Sequence, residues 1–316
     1  MARYLVTGGA GFIGSHITDA LLNNGHEVTI LDNLSTGALD NVDHVKDRVS
    51  FIEGDICDME TCLRAADGCE GIYHEAALVS VPHSIEDPRL NHDVNITGTF
   101  NVLEAARLQG VKRIVYASSA AIYGDNPELP KRELMLPEPK SPYALAKLAG
   151  EHYLCNYAHI FGINAVALRY FNVFGPRQNP NSPYSGVISI FVDRVLKGAP
   201  VTIFGDGEQS RDFVNVADVV QANLLAMGLH PERDSELDGP FNVFNVATNN
   251  RTSLLELLDT LEAICGTNVE RIFKEERSGD IKHSLADIGS TSADLKYSPE
   301  VSLEDGLSEL VEFTRT

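Results

Sequence analysis

The chain has 316 residues, 43% of them hydrophobic, and a formal net charge of -20 at pH 7. That length and apolar content suit one large domain or two lobes around a substantial core. The negative charge argues against nucleic acid or an anionic membrane as partner, because both call for basic patches, and an anionic substrate would need locally placed Arg or Lys. The cysteines, Cys57, Cys62, Cys69, Cys155 and Cys265, are scattered, with no paired C-x-x-C spacing and no clustered His. We therefore expect a reduced, cytoplasmic setting and no metal site. The N-terminus enters a β pattern without the charged and apolar regions of a leader, and no apolar run approaches the ~18 residues of a membrane span.

In chain order, Arg3 to Thr7 reads as a short buried strand that breaks into Gly8-Gly9-Ala10-Gly11-Phe12-Ile13-Gly14. A helix follows from Ser15 to Asn24, then a second strand from His26 to Leu31 ending in Asp32 and Asn33. Gly8 permits the tight turn, Gly11 lets the backbone approach a pyrophosphate at the helix N-terminus, and Gly14 lets helix and strand pack closely. Asp32 can accept hydrogen bonds from both hydroxyls of an adenine ribose and would repel a 2′-phosphate, which favours NAD over NADP. The spacing is G-x-x-G-x-x-G, and its weight comes from the strand, turn, helix, strand, acid context.

A third strand, Val49 to Glu53, leads into Asp55-Ile56, placed to touch the adenine edge, and a helix from Met59 to Ala66. Asp55 and Asp58 are equally suited to capping that helix. The strand Gly71 to His74 opens into Glu75-Ala76-Ala77-Leu78, where Ala76 and Ala77 would let a flat cofactor lie close. His74 reads as a core histidine. Pro88 to Leu108 reads as one helix, from which Asn95 could reach the crevice.

The fifth strand, Val111 to Ala117, ends in hydroxyls at Ser118 and Ser119, followed by Ala120, Ala121, Ile122 and Tyr123. Asp125 to Lys140 reads as a surface excursion. Ser141-Pro142-Tyr143-Ala144-Leu145-Ala146-Lys147 then starts a long helix to about Phe161, with Ser141 as cap and Pro142 in the first turn. Positions i and i+4 share a helix face, so Lys147 is placed to favour ionisation of the Tyr143 phenol and make it a general base.

Beyond the strand Ile163 to Arg169, the elements are shorter: a helix Val187 to Lys197, strands Val201 to Phe204, Phe241 to Ala247 and Val269 to Phe273, and helices near Val216 to Leu229, Leu254 to Cys265 and Leu303 to Phe313. Arg177, Arg211 and Arg277 are candidate anion clamps or, equally, surface salt bridges. The fold class expected is α/β, a doubly wound parallel Rossmann sheet with a smaller interleaved C-terminal α/β substrate domain. Residues 1–170, completed by parts of about 210–247, would form the NAD-binding domain, and 171–209 with 248–316 the substrate domain.

Taken jointly, Thr7-Gly8-x-x-Gly11-x-x-Gly14, Ser119, Tyr143-x-x-x-Lys147, Tyr170-Phe171-Asn172-Val173-Phe174-Gly175, Arg211-Asp212-Phe213 and Arg277-Ser278-Gly279-Asp280 resemble the extended short-chain dehydrogenase/reductases, and within them the nucleotide-sugar 4-epimerases. The resemblance covers essentially the whole chain. It implies NAD as cofactor, Asn95 near it, a UDP-sugar substrate, and a homodimer built on the Tyr143 helix and the Pro88 to Leu108 helix. It also implies UDP contacts from Asn172, Arg211, Arg277 and Asp280, with Val187 and Ile188 lining the uracil site and Phe204 nearby.

Related dehydratases and decarboxylases resemble one another in carrying an acidic residue two positions before the Tyr that is Tyr123 here, and dehydratases another just before it. Ala120 and Ala121 stand there, which disfavours elimination and decarboxylation. Ser284 occupies a position where glucose-limited epimerases resemble one another in having Tyr; the small side chain leaves room for an N-acetyl group. Val79 and the run Ser80-Val81-Pro82-His83-Ser84 are similar to the loop of UDP-N-acetylglucosamine 4-epimerases. The expected activity is on both UDP-GlcNAc/UDP-GalNAc and UDP-Glc/UDP-Gal. UDP-glucuronate 4-epimerase, or a non-catalytic NAD-binding scaffold, is the alternative.

Overall fold

Seven of the apolar runs pair in parallel and set the frame for everything else. In the computed structural model, which describes residues 1–178, 186–235, 237–276 and 282–315, strand and helix alternate through the first half. These are β1 (Arg3–Thr7), α1 (Phe12–Asn23), β2 (Glu27–Asp32), β3 (Val49–Glu53), α2 (Met59–Ala66) and β4 (Gly71–His74). Next come α3 (Val81–Glu86), α4 (Pro88–His92), α5 (Thr99–Gln109), β5 (Arg113–Ser119), α6 (Pro142–Phe161) and β6 (Asn164–Tyr170).

The second half holds β7 (Asn172–Phe174), α7 (Val187–Leu196), β8 (Val201–Phe204), β9 (Ser210–Arg211), β10 (Phe213–Asn215) and α8 (Val216–Met227). It ends with β11 (Phe241–Val246), β12 (Thr252–Ser253), α9 (Leu254–Cys265), β13 (Arg271–Lys274), α10 (Gly289–Asp294) and α11 (Leu303–Arg315).

The large sheet runs β11-β6-β5-β4-β1-β2-β3. The strand order reverses between β1 and β4, and at such a switch point the loops leaving the C-terminal strand ends diverge and open a crevice. Neighbouring residues along each strand feed opposite layers, as a two-periodic backbone requires. Val6, Ile30, Tyr73, Val115 and Leu168 pack with Ile17 of α1 and Val219 and Leu225 of α8. Leu5, Leu31, Ile72, Ile114 and Ala167 pack with Cys62 of α2, Val102 of α5 and Leu154 of α6. A third cluster, including Ile188, Phe191, Ile203, Leu257, Leu261 and Leu310, joins α7, β8, α9 and α11. There β8 pairs in parallel with β13, and β9 pairs antiparallel with β12.

Three expectations need correction. The helix anticipated from Pro88 to Leu108 is divided by a π-helical turn at Asp93–Gly98. There Asn95 turns its amide onto Leu78: its Oδ1 accepts from Leu78 N at 2.8 Å and its Nδ2 donates to Leu78 O at 3.1 Å. The loop reading of Val79 to Ser84 misses α3, which Ser80 caps by accepting from His83 N at 3.0 Å. The last strand is Arg271–Lys274, set by its register against β8, where Arg271 stands opposite Val201 and Lys274 opposite Phe204. No helix among the described residues is long and apolar enough to cross a membrane.

Candidate active site

The glycine turn closes on itself. Gly8 has a φ of 69°, left-handed and strained for any other residue, and a Cβ there would sit 2.8 Å from Ala76 N. A Cβ on Gly14 would stand 2.2 Å from Gly8 O, a distance no side chain tolerates. Gly11 N donates to Gly8 O at 3.0 Å, so the turn presents bare backbone at the N-terminus of α1. Phe12 and Ile13 follow as the first residues of that helix. An anionic pyrophosphate fits such an end because unpaired N–H groups and the helix dipole favour it.

Asp32 is buried at the end of β2 and holds the same turn: its Oδ2 accepts from Ala10 N at 2.9 Å and its Oδ1 from Leu34 N at 2.8 Å. Each carboxylate oxygen keeps a further lone pair for a hydroxyl. Asn33 donates to Asp55 Oδ2 at 2.9 Å, tying the ends of β2 and β3 together beside Ile56. The helix cap is Asp58, which accepts from Glu60 N, while Asp55 accepts from Cys57 N. Ala76 N donates to Thr7 Oγ1 at 3.2 Å, so the segment with Ala76 and Ala77 lies directly beside the start of the glycine turn. A turn stripped of side chains, an acid at the next strand end and small residues alongside together fit a dinucleotide.

At the other lip, β5 delivers Ser119 and α6 delivers Tyr143 and Lys147. Ser141 caps α6 by accepting from Ala144 N at 3.1 Å, with Pro142 in the first turn. Ser84 reinforces the same end, accepting from Tyr143 N at 3.2 Å and donating to Val81 O at 2.7 Å. Lys147 is buried; its Nζ donates to Ala117 O at 2.8 Å, 4.9 Å from the ring centre of Tyr116 and 5.9 Å from that of Tyr143. Ser119 Oγ accepts from Ala121 N at 3.2 Å.

Burial raises the Tyr143 pKa above the ordinary phenol value, and a hydrogen bond with Ser119 works against that rise. Burial lowers Lys147 to about 8, opposed by the negative charge of Glu75. This differs from the simple expectation of a phenol pulled down by a neighbouring cation. Both groups are desolvated, so each one's charged form depends on what charge is supplied to it.

Behind these residues lies a buried polar network that the one-dimensional reading missed. Ser118 donates to Glu151 Oε1 at 2.5 Å, and Arg169 grips both Glu151 oxygens at 2.9 and 2.8 Å. Arg169 also donates to Tyr123 OH at 2.9 Å, and Tyr123 OH donates to Asn245 at 2.6 Å. Glu151 stands one further turn along the face of Tyr143 and Lys147, and that spacing is the signal from which it could have been found. The network fixes α6 against β5 and β6. His74, as expected, is a core histidine: its Nδ1 and Nε2 face Thr7 Oγ1 and Thr99 Oγ1 at 2.8 and 3.0 Å.

The expected substrate residues are spread along the second half. Asn172 is exposed on β7. Ile188 is buried in the third core cluster, with Val187 packed against it. Phe204 ends β8, and its carbonyl accepts from Gln209 Nε2 at 2.5 Å. Arg211 Nη1 rests on the carbonyls of Ser210 and Lys282 at 3.0 and 3.3 Å. Ser284 N donates to Ser210 O at 3.0 Å, which lays the half-buried Ser284 beside β9. Arg177 is bound to Asp19 of α1 at 2.7 Å, the salt-bridge reading of the two open for it. Arg277 and Asp280 lie outside the described residues. Among the described residues no group of three or more His, Cys, Asp or Glu could hold a metal.

This arrangement has close counterparts. The chain is 40% identical over 317 residues to a UDP-glucose 4-epimerase of Mycolicibacterium smegmatis, covering 99% of this chain and 98% of the relative. A crystal structure of UDP-glucose 4-epimerase with UDP-glucose from Thermotoga maritima superposes with a TM-score of 0.92 at 41% identity, covering 99% of this chain and 98% of that one. A UDP-N-acetylglucosamine 4-epimerase from Methanobrevibacter ruminantium, in complex with UDP-N-acetylmuramic acid, gives 0.92 at 37% identity with coverage of 99% and 98%. The profile of one family, described as NAD dependent epimerase/dehydratase, matches residues 4–247. A turn built for a dinucleotide, a Tyr and Lys on one helix face and likeness along the whole chain lead to one conclusion: the protein belongs to the NAD dependent epimerase/dehydratase family.

Proposed function

We propose that the protein inverts C4 of a UDP-hexose through a 4-keto intermediate, acting on both UDP-GlcNAc/UDP-GalNAc and UDP-Glc/UDP-Gal. The observation that carries this reading is the convergence of Ser119, Tyr143 and Lys147 at one lip of the crevice, with Ala120 and Ala121 where elimination chemistry needs an acid. The glycine turn and Asp32 would hold NAD, which would supply reversible hydride chemistry at C4 and positive charge near the phenol. Tyr143 takes the proton of the C4 hydroxyl and later gives it back. Ser119 hydrogen-bonds the same oxygen and can relay that proton. Lys147, in its cationic form, favours the phenolate.

Arg211, with Arg277, would balance the diphosphate of a substrate held by an otherwise acidic protein, joined by Asn172 and Asp280. Val187 and Ile188 would flank the uracil. Ser284 leaves space beside the sugar C2, which supports acceptance of the N-acetyl group. Residues 1–170 with parts of 210–247 would act as the NAD lobe and the remainder as the substrate lobe. We also propose a homodimer through α5 and α6, where Phe100, Leu145 and Tyr153 are 39%, 55% and 38% exposed, a run of large apolar side chains along one face. Five free thiols support a cytoplasmic site of action.

The test is a substrate panel with purified protein and no added NAD. Conversion of UDP-GlcNAc to UDP-GalNAc and of UDP-Glc to UDP-Gal is expected, without turnover of UDP-glucuronate. Conversion of UDP-glucuronate alone would move the assignment to the 4-epimerase of that sugar.

A further inference from the structure

We propose that Glu151 is a positioning residue for the reaction: fixed by Arg169, it grips Ser118 and so holds the end of β5, where the two neighbours of Ser118 anchor Lys147 and supply the Ser119 hydroxyl. The inference rests on the reading of Ser119, Tyr143 and Lys147 as the reacting set.

Tyr143, Lys147 and Glu151 follow one another at four-residue spacing along α6 and are all buried, so they look toward the sheet from one helix face. Under that face β5 offers consecutive points of attachment. The carbonyl of Ala117 accepts from Lys147 Nζ at 2.8 Å, and Ser118 Oγ donates to Glu151 Oε1 at 2.5 Å. Ser119 comes next. Ser118 therefore stands between the residue that anchors Lys147 and the residue that hydrogen-bonds the reacting oxygen. The helix also lies close on this strand, because a Cβ on Gly150 would stand 2.3 Å from Tyr116 OH. That contact stops α6 from sinking further, and the bond from Ser118 to Glu151 stops the strand end and the helix from parting.

Glu151 is itself held from the neighbouring strand. Arg169 of β6 stands directly opposite Ser118 in the β5 to β6 register, and its Nε and Nη2 donate to Glu151 Oε1 and Oε2 at 2.9 and 2.8 Å. Arg169 Nη1 donates in turn to Tyr123 OH at 2.9 Å and Glu133 O at 3.1 Å, so the guanidinium cannot swing away. Both side chains of the ion pair are 5% exposed. A pair so deeply buried adds little net stability, since desolvation offsets most of the attraction. What the two-pronged contact supplies is direction: parallel bonds leave the carboxylate one orientation, with Oε1 aimed at Ser118. Ser118, Glu151 and Arg169 are all closed off from solvent, so any effect on turnover passes through Lys147 and Ser119.

The experiment measures kcat, per bound NAD, and KM for a UDP-hexose in Ser118→Ala and Glu151→Gln, beside urea midpoints and a crystal structure of NAD-loaded Ser118→Ala. Glu151→Gln leaves the Arg169 charge uncompensated and is the variant more exposed to unfolding. Ser118→Ala keeps the ion pair and removes only the grip on β5, so it carries the decision. We expect it to lower kcat by about 10-fold or more while KM stays within about 2-fold, as loss of orientation without loss of binding requires. Its structure should show Lys147 Nζ drawn off Ala117 O or Ser119 Oγ displaced, and folded Glu151→Gln should show the same split of kcat from KM. Unchanged kcat in Ser118→Ala, with only the urea midpoint lowered, would make Glu151 a structural residue and overturn the proposal. A lowered kcat with Ala117, Ser119 and Lys147 all in place would overturn it too. If the wild type converts no UDP-hexose, the function assignment fails, and the Ser118→Ala structure still decides whether Glu151 holds the strand end.

Discussion

The Lys147 ammonium lies 5.9 Å from the ring centre of Tyr143, fixed on the carbonyl of Ala117, with no direct bond to the phenol. The pair therefore interacts through charge, across a desolvated gap, and each member should fail in its own way when removed. Tyr143→Phe should lower kcat by roughly 10²- to 10⁴-fold, the range for loss of a general base, while NAD stays bound. Lys147→Met should also lower kcat and move the acid limb of the pH profile upward, because the phenol then ionises without a cation. Full activity in Tyr143→Phe would show that the base lies elsewhere.

Gly14→Ala places a methyl 2.2 Å from Gly8 O, against backbone that cannot move aside without opening the turn. We expect the purified variant to carry little or no NAD, with urea unfolding showing a loss of about 1–3 kcal/mol, the usual cost of overpacking. Normal NAD content would mean that the turn is not the pyrophosphate site.

His74 predicts an acid-dependent loss of stability. Thr99 Oγ1 donates to Asn95 O at 2.9 Å, so it accepts from His74 Nε2, which leaves Nδ1 as acceptor for the Thr7 hydroxyl. A protonated ring has no place there, and burial lowers its pKa from 6.5 to about 3. The unfolded chain takes up this proton and the folded one refuses it, so this contribution is whole above pH 6.5 and is lost as pH falls toward 3. At pH 5 the loss is about 2 kcal/mol. Glu75, with its pKa raised to about 7, contributes with the opposite sign between that value and 4.5. The clean readout is therefore the difference between wild type and His74→Gln in urea midpoints at pH 7.5 and pH 5. The variant should show the shallower loss; equal losses would contradict a neutral buried His74.

Ser284 is joined to Ser210 through its backbone, Ser284 N donating to Ser210 O at 3.0 Å, which leaves its side chain free of that fastening role. Ser284→Tyr should cut kcat/KM for UDP-GlcNAc by 10-fold or more while changing that for UDP-Glc little, since a ring at C2 blocks the acetamido group by overpacking. Equal losses on both sugars would remove Ser284 from the specificity assignment.

What could be read in the sequence follows from how local each signal is. The glycine turn, Asp32 and the Tyr143 to Lys147 pair each lie within one strand-turn-helix unit or one helical turn, so residue spacing alone sets their geometry. Glu75 and Tyr170 meet across 95 residues and Asn223 reaches Tyr170 across 53, and no spacing rule brings such residues together. Ser84 braces Tyr143 from 59 residues away for the same reason. The π turn at Asp93–Gly98 was hidden because Val94 within it and Val102 beyond it continue an ordinary apolar pattern. Arg177 shows the limit of reading charge in isolation: its partner Asp19 stands 158 residues earlier.

The central claim is that inversion proceeds by removing the C4 hydrogen and returning that same hydrogen to the other face, with no exchange with water. UDP-glucose bearing deuterium at C4, incubated with the purified protein and no added NAD, tests it most directly by mass spectrometry of the UDP-galactose formed. The account predicts full retention of deuterium in wild type and, over the same interval, product from Tyr143→Phe reduced by roughly 10²-fold or more. Product that has lost its deuterium to solvent would contradict it.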